Sequence, residues 1–254
     1  MSITRLSSAC ALAGTLVLLA GCGGSSGNSS SNSSGNTATV SSSTPAASPS
    51  PTVTPATVTQ LKKIILRAGD LPSSWKAVPT EPEASDSGAI AAEAEMTKCV
   101  GTKSVYRDIV ARASSDDYTL GNAIISTTAT SFKSQSALDS DIGLLKSPKF
   151  IPCFTQSLKK EIVTLLPQDA SLGAVSVKLI PGPGAGPANV VGSVSVTASL
   201  TVGGQPVTVY VSNTFVTGPL MEVMISTENA GSPVPAAVLQ SAVKAVADRA
   251  AANS

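Results

Sequence analysis

Few residue types in this sequence could do chemistry, and histidine is absent from the whole chain. Ser-His-Asp and Cys-His catalysis, histidine-based metal sites and the usual general base near neutral pH are therefore excluded. Two Ser-x-x-Lys strings, Ser73 to Lys76 and Ser157 to Lys160, have a spacing in which a lysine amine can activate a serine. Neither a Lys-Thr-Gly nor a Ser-Asp-Asn element accompanies them. We therefore expect no catalytic residues and no enzyme activity.

The first 22 residues have the pattern of a targeting segment. Arg5 precedes an apolar run from Leu6 to Leu19, and the run ends on Leu19-Ala20-Gly21-Cys22. The run has the length of a signal-peptide core and is shorter than the roughly 20 residues of a membrane-spanning helix. Its last four residues resemble the lipobox of bacterial lipoproteins, which implies cleavage before Cys22 and a diacylglyceryl group on its thiol. The alternative is an ordinary secretory peptide whose cleavage site happens to precede a cysteine.

A lipid on Cys22 would hold the chain at the extracytoplasmic face of the cell membrane, since two acyl chains give stable attachment where one is marginal. Residues 23–56 contain no charged residue and consist largely of Ser, Gly, Thr and Pro. Such a segment cannot bury enough apolar surface to offset the entropy of ordering it. We predict a lipoprotein signal peptide over residues 1–21, a lipidated and disordered tether over 22–56, and a single domain over 57–254.

The other three cysteines have different expected fates. Cys10 lies in the apolar run and leaves with the signal peptide. Cys99 and Cys153 then form a single pair in an exported protein, where disulfides persist. Closing the loop between them should restrict the unfolded chain by roughly 4 kcal/mol. Two cysteines without histidine would make a poor metal site, so we expect a disulfide and no metal or other cofactor.

The charges of the chain are balanced. Removing residues 1–21 removes Arg5 and no acidic residue, which leaves 16 basic and 16 acidic residues. No basic patch forms, so nucleic acid is not an expected partner. The carboxylates of Glu93, Glu95, Asp116 and Asp117 have no paired spacing that acid–base work requires. We interpret them as solvated faces or helix-end charges.

The second half of the chain has the alternation of a β-sheet. Apolar residues alternate with Ser and Thr over residues 193–202 and again over 207–212, and Gly203-Gly204 between them predicts a two-residue hairpin turn. Further strands are predicted over 120–132, 174–180 and 219–227. Helices are predicted near 61–68, 89–99, 104–111, 134–146, 154–166 and 235–250. The sequence thus predicts an α+β domain, with an antiparallel sheet of about five strands and helices packed mainly on one face.

Two aromatic side chains are candidate ligand contacts. Trp75, the only tryptophan, follows the turn at Pro72. A lone tryptophan in this position is typical of a core or helix-docking residue, and the alternative is a platform for a ligand. Tyr210 lies on the same side of its strand as Thr208 and Ser212, which the alternation makes polar. An aromatic ring on an open sheet face is a reason to look for a ligand there.

The segment Leu66-Arg67-Ala68-Gly69-Asp70-Leu71-Pro72-Ser73-Ser74-Trp75 resembles the start of the domain in actinobacterial surface lipoproteins. It is also similar to the extracellular sensor-like domain of the PknH-type receptor kinases, as are Phe150-Ile151-Pro152-Cys153-Phe154 and the hairpin-rich C-terminal half. The resemblance implies an α+β domain with a cleft and a ligand-sensing role. The chain departs from those kinase domains in having one cysteine pair where they have two.

Together these features predict a membrane-anchored extracytoplasmic lipoprotein with a non-enzymatic ligand-binding or sensor-like domain. Its expected partners are the membrane, through the diacylglyceryl anchor, and an envelope ligand or protein. Two alternatives stay open. One is a structural or protein-interaction scaffold of the cell envelope, and the other is a carrier of lipid or glycolipid, which would need a hollow apolar interior.

Overall fold

A computed structural model describes residues 53–80, 87–182 and 189–252, and in helix α2 it describes side chains from residue 93 onward. Within these ranges the α-helices are α1 (Val58–Ile64), α2 (Ser87–Val100), α3 (Gln135–Lys146), α4 (Phe150–Leu165) and α5 (Ala236–Ala252). The strands are β1 (Lys76–Val78), β2 (Ile109–Ser114), β3 (Asp117–Leu120), β4 (Ala123–Phe132), β5 (Ala170–Pro181), β6 (Val190–Val202), β7 (Gln205–Gly218) and β8 (Met221–Ala230). The α+β class predicted from the sequence is confirmed.

All eight strands form one antiparallel sheet in the order β1-β3-β4-β8-β7-β6-β5, with β2 also paired to β4. The β6–β7 hairpin turns at Gly203 and Gly204, whose φ values of 55° and 77° are those of the predicted turn. Strands β5 and β8 and helices α3, α4 and α5 lie close to their predicted positions. The local pattern was sufficient to place a strand wherever apolar and polar residues alternate over many positions.

The sheet has eight strands rather than about five, because three strands, β1, β2 and β3, were not predicted. The strand predicted over 120–132 is β4, and Gly121, at φ 62°, turns the chain into it from β3, which precedes it. The helix predicted near 104–111 is wrong. Residues 109–114 instead form β2, with Ala111 and Ala113 buried beneath α1 and paired across to β4.

Helices cover both faces of the sheet rather than mainly one. On the first face, α1 and α5 pack against β2, β4, β7 and β8. On the second face, α3 packs on β4 and α4 on β5 and β6, while α2 packs on α4. Strand β7 shows the division, since Val216 belongs to the core of the first face and Val211 to that of the second. The central strands are buried on both sides, which a one-sided sheet would not require.

The disulfide expected from the sequence joins Cys99, near the end of α2, to Cys153, in the first turn of α4, with their Cα atoms 5.9 Å apart. Pro152 sits in the same first turn, where the missing N–H costs no helical hydrogen bond. The bond holds α2 against α4 and so positions the inner side of α2 over the sheet. Among the described helices, none is long and apolar enough to cross a membrane.

Candidate ligand-binding cavity

A cavity of about 40 Å³ lies on the second face, where α2, α3 and α4 meet strands β6, β7 and β8. This volume has room for about two or three water-sized groups. Its apolar wall includes Met96, Leu144, Leu145, Phe150, Phe154 and Phe215. Four polar side chains also line it, namely Glu93, Asp141, Asn213 and Glu222. Because most of the wall is apolar, these four side chains determine what the cavity can bind.

Helix periodicity brings Glu93 to the cavity. Glu93, Met96, Thr97 and Val100 are spaced as neighbours on one side of α2, and all four are buried. Glu95, on another side of the helix, is exposed and forms a salt bridge of 2.8 Å with Lys160. The interpretation of both glutamates as solvated was therefore wrong for Glu93, which is 1% exposed.

Asp141 reaches the cavity in the same way from α3. The buried side of that helix carries Leu138, Asp141, Ile142 and Leu145, and Asp141 occupies a position that the helical pattern would give to an apolar residue. Asp141 was not among the site residues predicted from the sequence. A carboxylate in the middle of an apolar helical stripe was the signal that could have identified it.

Strand alternation supplies the other two polar groups. On β8, Val223 and Ile225 point to the first face, so Glu222 and Met224 point to the second and line the cavity. On β7, Asn213 lies opposite Val194 of β6, another lining residue. Glu222 and Asn213 are thus polar residues at positions that face the interior, as Asp141 is on α3.

Three of the polar side chains present an oxygen with no hydrogen-bond partner among the described protein groups. These oxygens are Glu93 Oε1, Asp141 Oδ1 and Asn213 Oδ1, on residues that are 1%, 4% and 4% exposed. Glu93 Oε2, by contrast, accepts a hydrogen bond of 2.6 Å from Ser104 Oγ. An unpaired buried acceptor costs about 1–3 kcal/mol, so the cavity favours an occupant that donates hydrogen bonds.

Asp141 and Glu222 are hydrogen-bonded to each other. Burial and the negative Glu93 nearby raise the pKa of Asp141 to about 7, against the opposing effect of the hydrogen bond from Glu222. Burial, the charge of Asp141 and the hydrogen bond raise the pKa of Glu222 well above its usual range. Glu222 is a partly exposed residue, but its carboxyl end is desolvated at the cavity. The hydrogen bond raises the pKa of Glu222 and lowers that of Asp141, so Glu222 is the donor in this pair.

The arrangement is suited to protons and donors more than to metal ions. Among the residues that the structure describes, no group of three or more His, Cys, Asp or Glu is arranged to hold a metal ion. No lysine or arginine is among the described residues that line the cavity. Arg112 of β2 lies on the same face two strands from Glu222, since it is in register with Thr130 of β4, which is in register with Glu222.

A second acidic pair lies farther along β8 on the second face. Burial, and to a smaller extent Asp117, raise the pKa of Glu228 to about 7. Burial also raises the pKa of Asp117, with a hydrogen bond from Ser126 opposing this and Asp116 adding to it. This pair does not line the cavity, and it shows that buried carboxyl groups recur along this side of the sheet.

The aromatic residues singled out in the sequence do not line the cavity. Trp75 is 6% exposed and packs in the core of the first face, which leaves its ring no open side for a ligand. Tyr210 is half-buried on β7, in register with Thr197 and Asn229, and its side chain points to the first face. A ligand role for Tyr210 stays a prediction, and Cys22 lies outside the described residues.

The Ser-x-x-Lys strings place no lysine amine on a serine hydroxyl among the hydrogen bonds described. Lys76 Nζ donates to the backbone oxygen of Ser73 at 3.4 Å. Lys160 Nζ donates to Glu95 Oε1 at 2.8 Å rather than to Ser157.

No protein-family model matches the chain, and no curated protein matches it. A comparison with solved structures finds a likeness to the extracellular domain of PknH from Mycobacterium tuberculosis. That likeness has 8% sequence identity and a TM-score of 0.36, and it covers 77% of this chain and 97% of that one. It concerns the fold alone, so the functional argument below depends on the cavity.

Proposed function

We propose that this protein is a lipid-anchored extracytoplasmic lipoprotein whose domain binds a small ligand and serves as a sensor without catalysing a reaction. The observation that carries the proposal is the group of unpaired buried oxygens of Glu93, Asp141 and Asn213 around one cavity. Unpaired buried oxygens lower the stability of the folded domain, and a bound hydrogen-bond donor would restore it. A purely structural core would gain by filling the same space with aliphatic side chains.

The anchor is supported by the sequence. Leu19-Ala20-Gly21-Cys22 closes an apolar run, and residues 23–56 supply an uncharged spacer between the lipid and the domain. All of these residues lie outside the described ranges except the last few of the spacer. The similarity of residues 66–75 to actinobacterial surface lipoproteins is in agreement with the same location.

The absence of histidine supports a non-catalytic role, because the usual neutral-pH base is missing. The two alternatives are less favoured by the cavity. A volume of about 40 Å³ is far too small for an acyl chain, so a lipid carrier would need another site. A scaffold of the envelope would use an exposed surface and has no need of unpaired buried acceptors.

Ligand binding is tested with the intact protein, purified in detergent from its own host and examined by native mass spectrometry and thermal unfolding with envelope extracts. We expect a co-purifying small molecule or a shift in the melting temperature. Val194→Phe, which fills the cavity from β6, should abolish the effect. Val163→Ala on the exposed side of α4, where Val163 is 60% exposed, is the matched control. An equal shift in the filled variant, or no ligand at all, contradicts the proposal.

The anchor is tested by metabolic labelling with palmitate. Cys22→Ser should abolish the label and release the protein to the medium, and Cys10→Ser should leave both unchanged because Cys10 lies in the removed segment. Label that persists in Cys22→Ser contradicts the anchor while leaving the cavity argument intact.

A further inference from the structure

We infer that the cavity is a site for a small primary ammonium group, held by the unpaired oxygens of Glu93, Asp141 and Asn213 inside an aromatic and aliphatic wall. This inference rests on the proposed ligand-binding function and deepens it by naming the chemical class of the ligand.

The first step is the match between donors and acceptors. The unpaired buried polar atoms of the described lining residues are all oxygens, Glu93 Oε1, Asp141 Oδ1 and Asn213 Oδ1. A primary ammonium group carries three N–H donors and no acceptor. A hydroxyl group has a single donor and would leave two of the oxygens unpaired. A carboxylate or phosphate would add acceptors to a site that already has an excess of them.

The second step is charge. Carboxyl groups face the cavity from three elements, Glu93 from α2, Asp141 from α3 and Glu222 from β8, and the lining residues that the structure describes include no cationic side chain. Helix α4 contributes Phe150 and Phe154, and β6 contributes Val194. Arg112 of β2 lies two strands from Glu222 on the same face and is not among the described lining residues. A buried negative charge is costly unless it is paired, and a ligand cation would supply the pairing charge.

The third step is size and the nature of the wall. About 40 Å³ accommodates a methylammonium or ethylammonium head and is small for a guanidinium or a quaternary ammonium group. The rings of Phe150 and Phe154 are stacked with centroids 5.4 Å apart, and Phe215 adds a third ring to the lining. Aromatic faces attract cations, most strongly where water is excluded. The wall therefore accepts the carbon of an alkylammonium ion and favours its charge.

The test uses the intact protein and methylammonium chloride as the probe, with sodium chloride at equal concentration as the reference. Methylammonium should raise the melting temperature in a saturable way, whereas methanol, acetate and tetramethylammonium should not. Binding should tighten as the pH rises through about 7, where Asp141 loses its proton. Glu93→Gln and Asp141→Asn should each weaken it by about tenfold or more.

Both cavity variants have matched controls on the same helices. Glu95→Gln lies on the exposed side of α2, and Asp139→Asn on the exposed side of α3, so neither should change the affinity. The inference is overturned if methylammonium gives no saturable shift, if methanol or tetramethylammonium binds as well, or if the cavity variants bind as tightly as their controls.

The ligand class and the binding function fail in distinguishable ways. If native mass spectrometry finds a neutral or anionic molecule that Val194→Phe excludes, the ammonium inference is overturned and the proposed binding function stands. If neither methylammonium nor any extract component binds, both are overturned.

Discussion

Arg249 of α5 donates two parallel hydrogen bonds to Asp70, Nη1 to Oδ1 at 2.8 Å and Nη2 to Oδ2 at 2.7 Å. The same guanidinium donates to the backbone oxygens of Ile64 and Ile65, each at 3.0 Å. Burial alone would raise the pKa of Asp70, but the hydrogen bonds from Arg249 and from the Arg67 N–H outweigh it and lower this pKa. Asp70, within the segment 66–75, thus connects α5 to the start of the domain.

Replacing Arg249 by lysine should destabilise the fold by roughly 2–4 kcal/mol. Lysine cannot form the two parallel hydrogen bonds, so the partly buried carboxylate of Asp70 would lose part of its pairing. The two side chains are 21% and 12% exposed, so solvent screens them little. Urea unfolding measures the change. Lys244→Ala, which breaks an exposed ion pair with Asp248, is the control and should cost less than about 1 kcal/mol. Equal effects of the two substitutions would contradict this role of Arg249.

The folded protein should become less stable as the pH rises from mildly acidic to neutral. Asp141 and Glu228 have ordinary pKa values of 3.8 and 4.5 that are raised to about 7 in the fold. Between these values the folded state holds protons that the unfolded state has lost, so the free energy of unfolding falls with rising pH. Glu222, whose pKa is also raised, adds to this fall. Asp141 and Glu228 each contribute at most about 4 kcal/mol to this change.

Urea unfolding across this pH range measures the slope. Asp70 does not interfere, since its lowered pKa makes its contribution present above 3.8 and lost only in stronger acid. Asp141→Asn should flatten the curve and Asp139→Asn should not. A stability that rises from pH 5 to about 7 in the wild type would refute the assignment.

Loss of the disulfide should destabilise the protein by about 2–5 kcal/mol. The double variant Cys99→Ser/Cys153→Ser avoids a free thiol and releases α2 from α4. Thermal unfolding should show a lower midpoint, and ligand binding at the cavity should weaken because Glu93 sits on α2. Cys22→Ser should leave the midpoint unchanged. A double variant with the wild-type midpoint would show that helix packing alone holds α2 in place.

The parts of the fold that could be predicted from the sequence are those decided by local pattern. The alternation over residues 193–212 and the positive-φ pair Gly203-Gly204 define the β6–β7 hairpin without reference to the rest of the chain. Residues 109–114 could not be assigned in this way. They form β2 because β4 pairs with them and α1 covers Ala111 and Ala113, and these contacts are distant in sequence.

The cavity required the tertiary structure for a similar reason. Glu93, Asp141, Asn213 and Glu222 come from four elements spread over much of the domain, and only the packing of helices on the sheet brings them to one place. The individual signals were present as polar residues within apolar stripes. A single interrupted stripe is also consistent with a locally satisfied polar group, so the convergence of several was needed to identify a site.

Asp141 and Glu222 should show strong energetic coupling, since they share a hydrogen bond in a desolvated setting. Above about pH 7 the buried pair is under like-charge stress from Glu93, so Asp141→Asn should raise stability by roughly 1–3 kcal/mol. Glu222→Leu removes the hydrogen-bond donor and should lower stability. In a double-mutant cycle the two effects should depart from additivity by more than about 1 kcal/mol, a size typical of residues in contact. Additive effects within about 0.3 kcal/mol would mean that the two carboxyl groups do not interact. That result would contradict the hydrogen bond between Asp141 and Glu222.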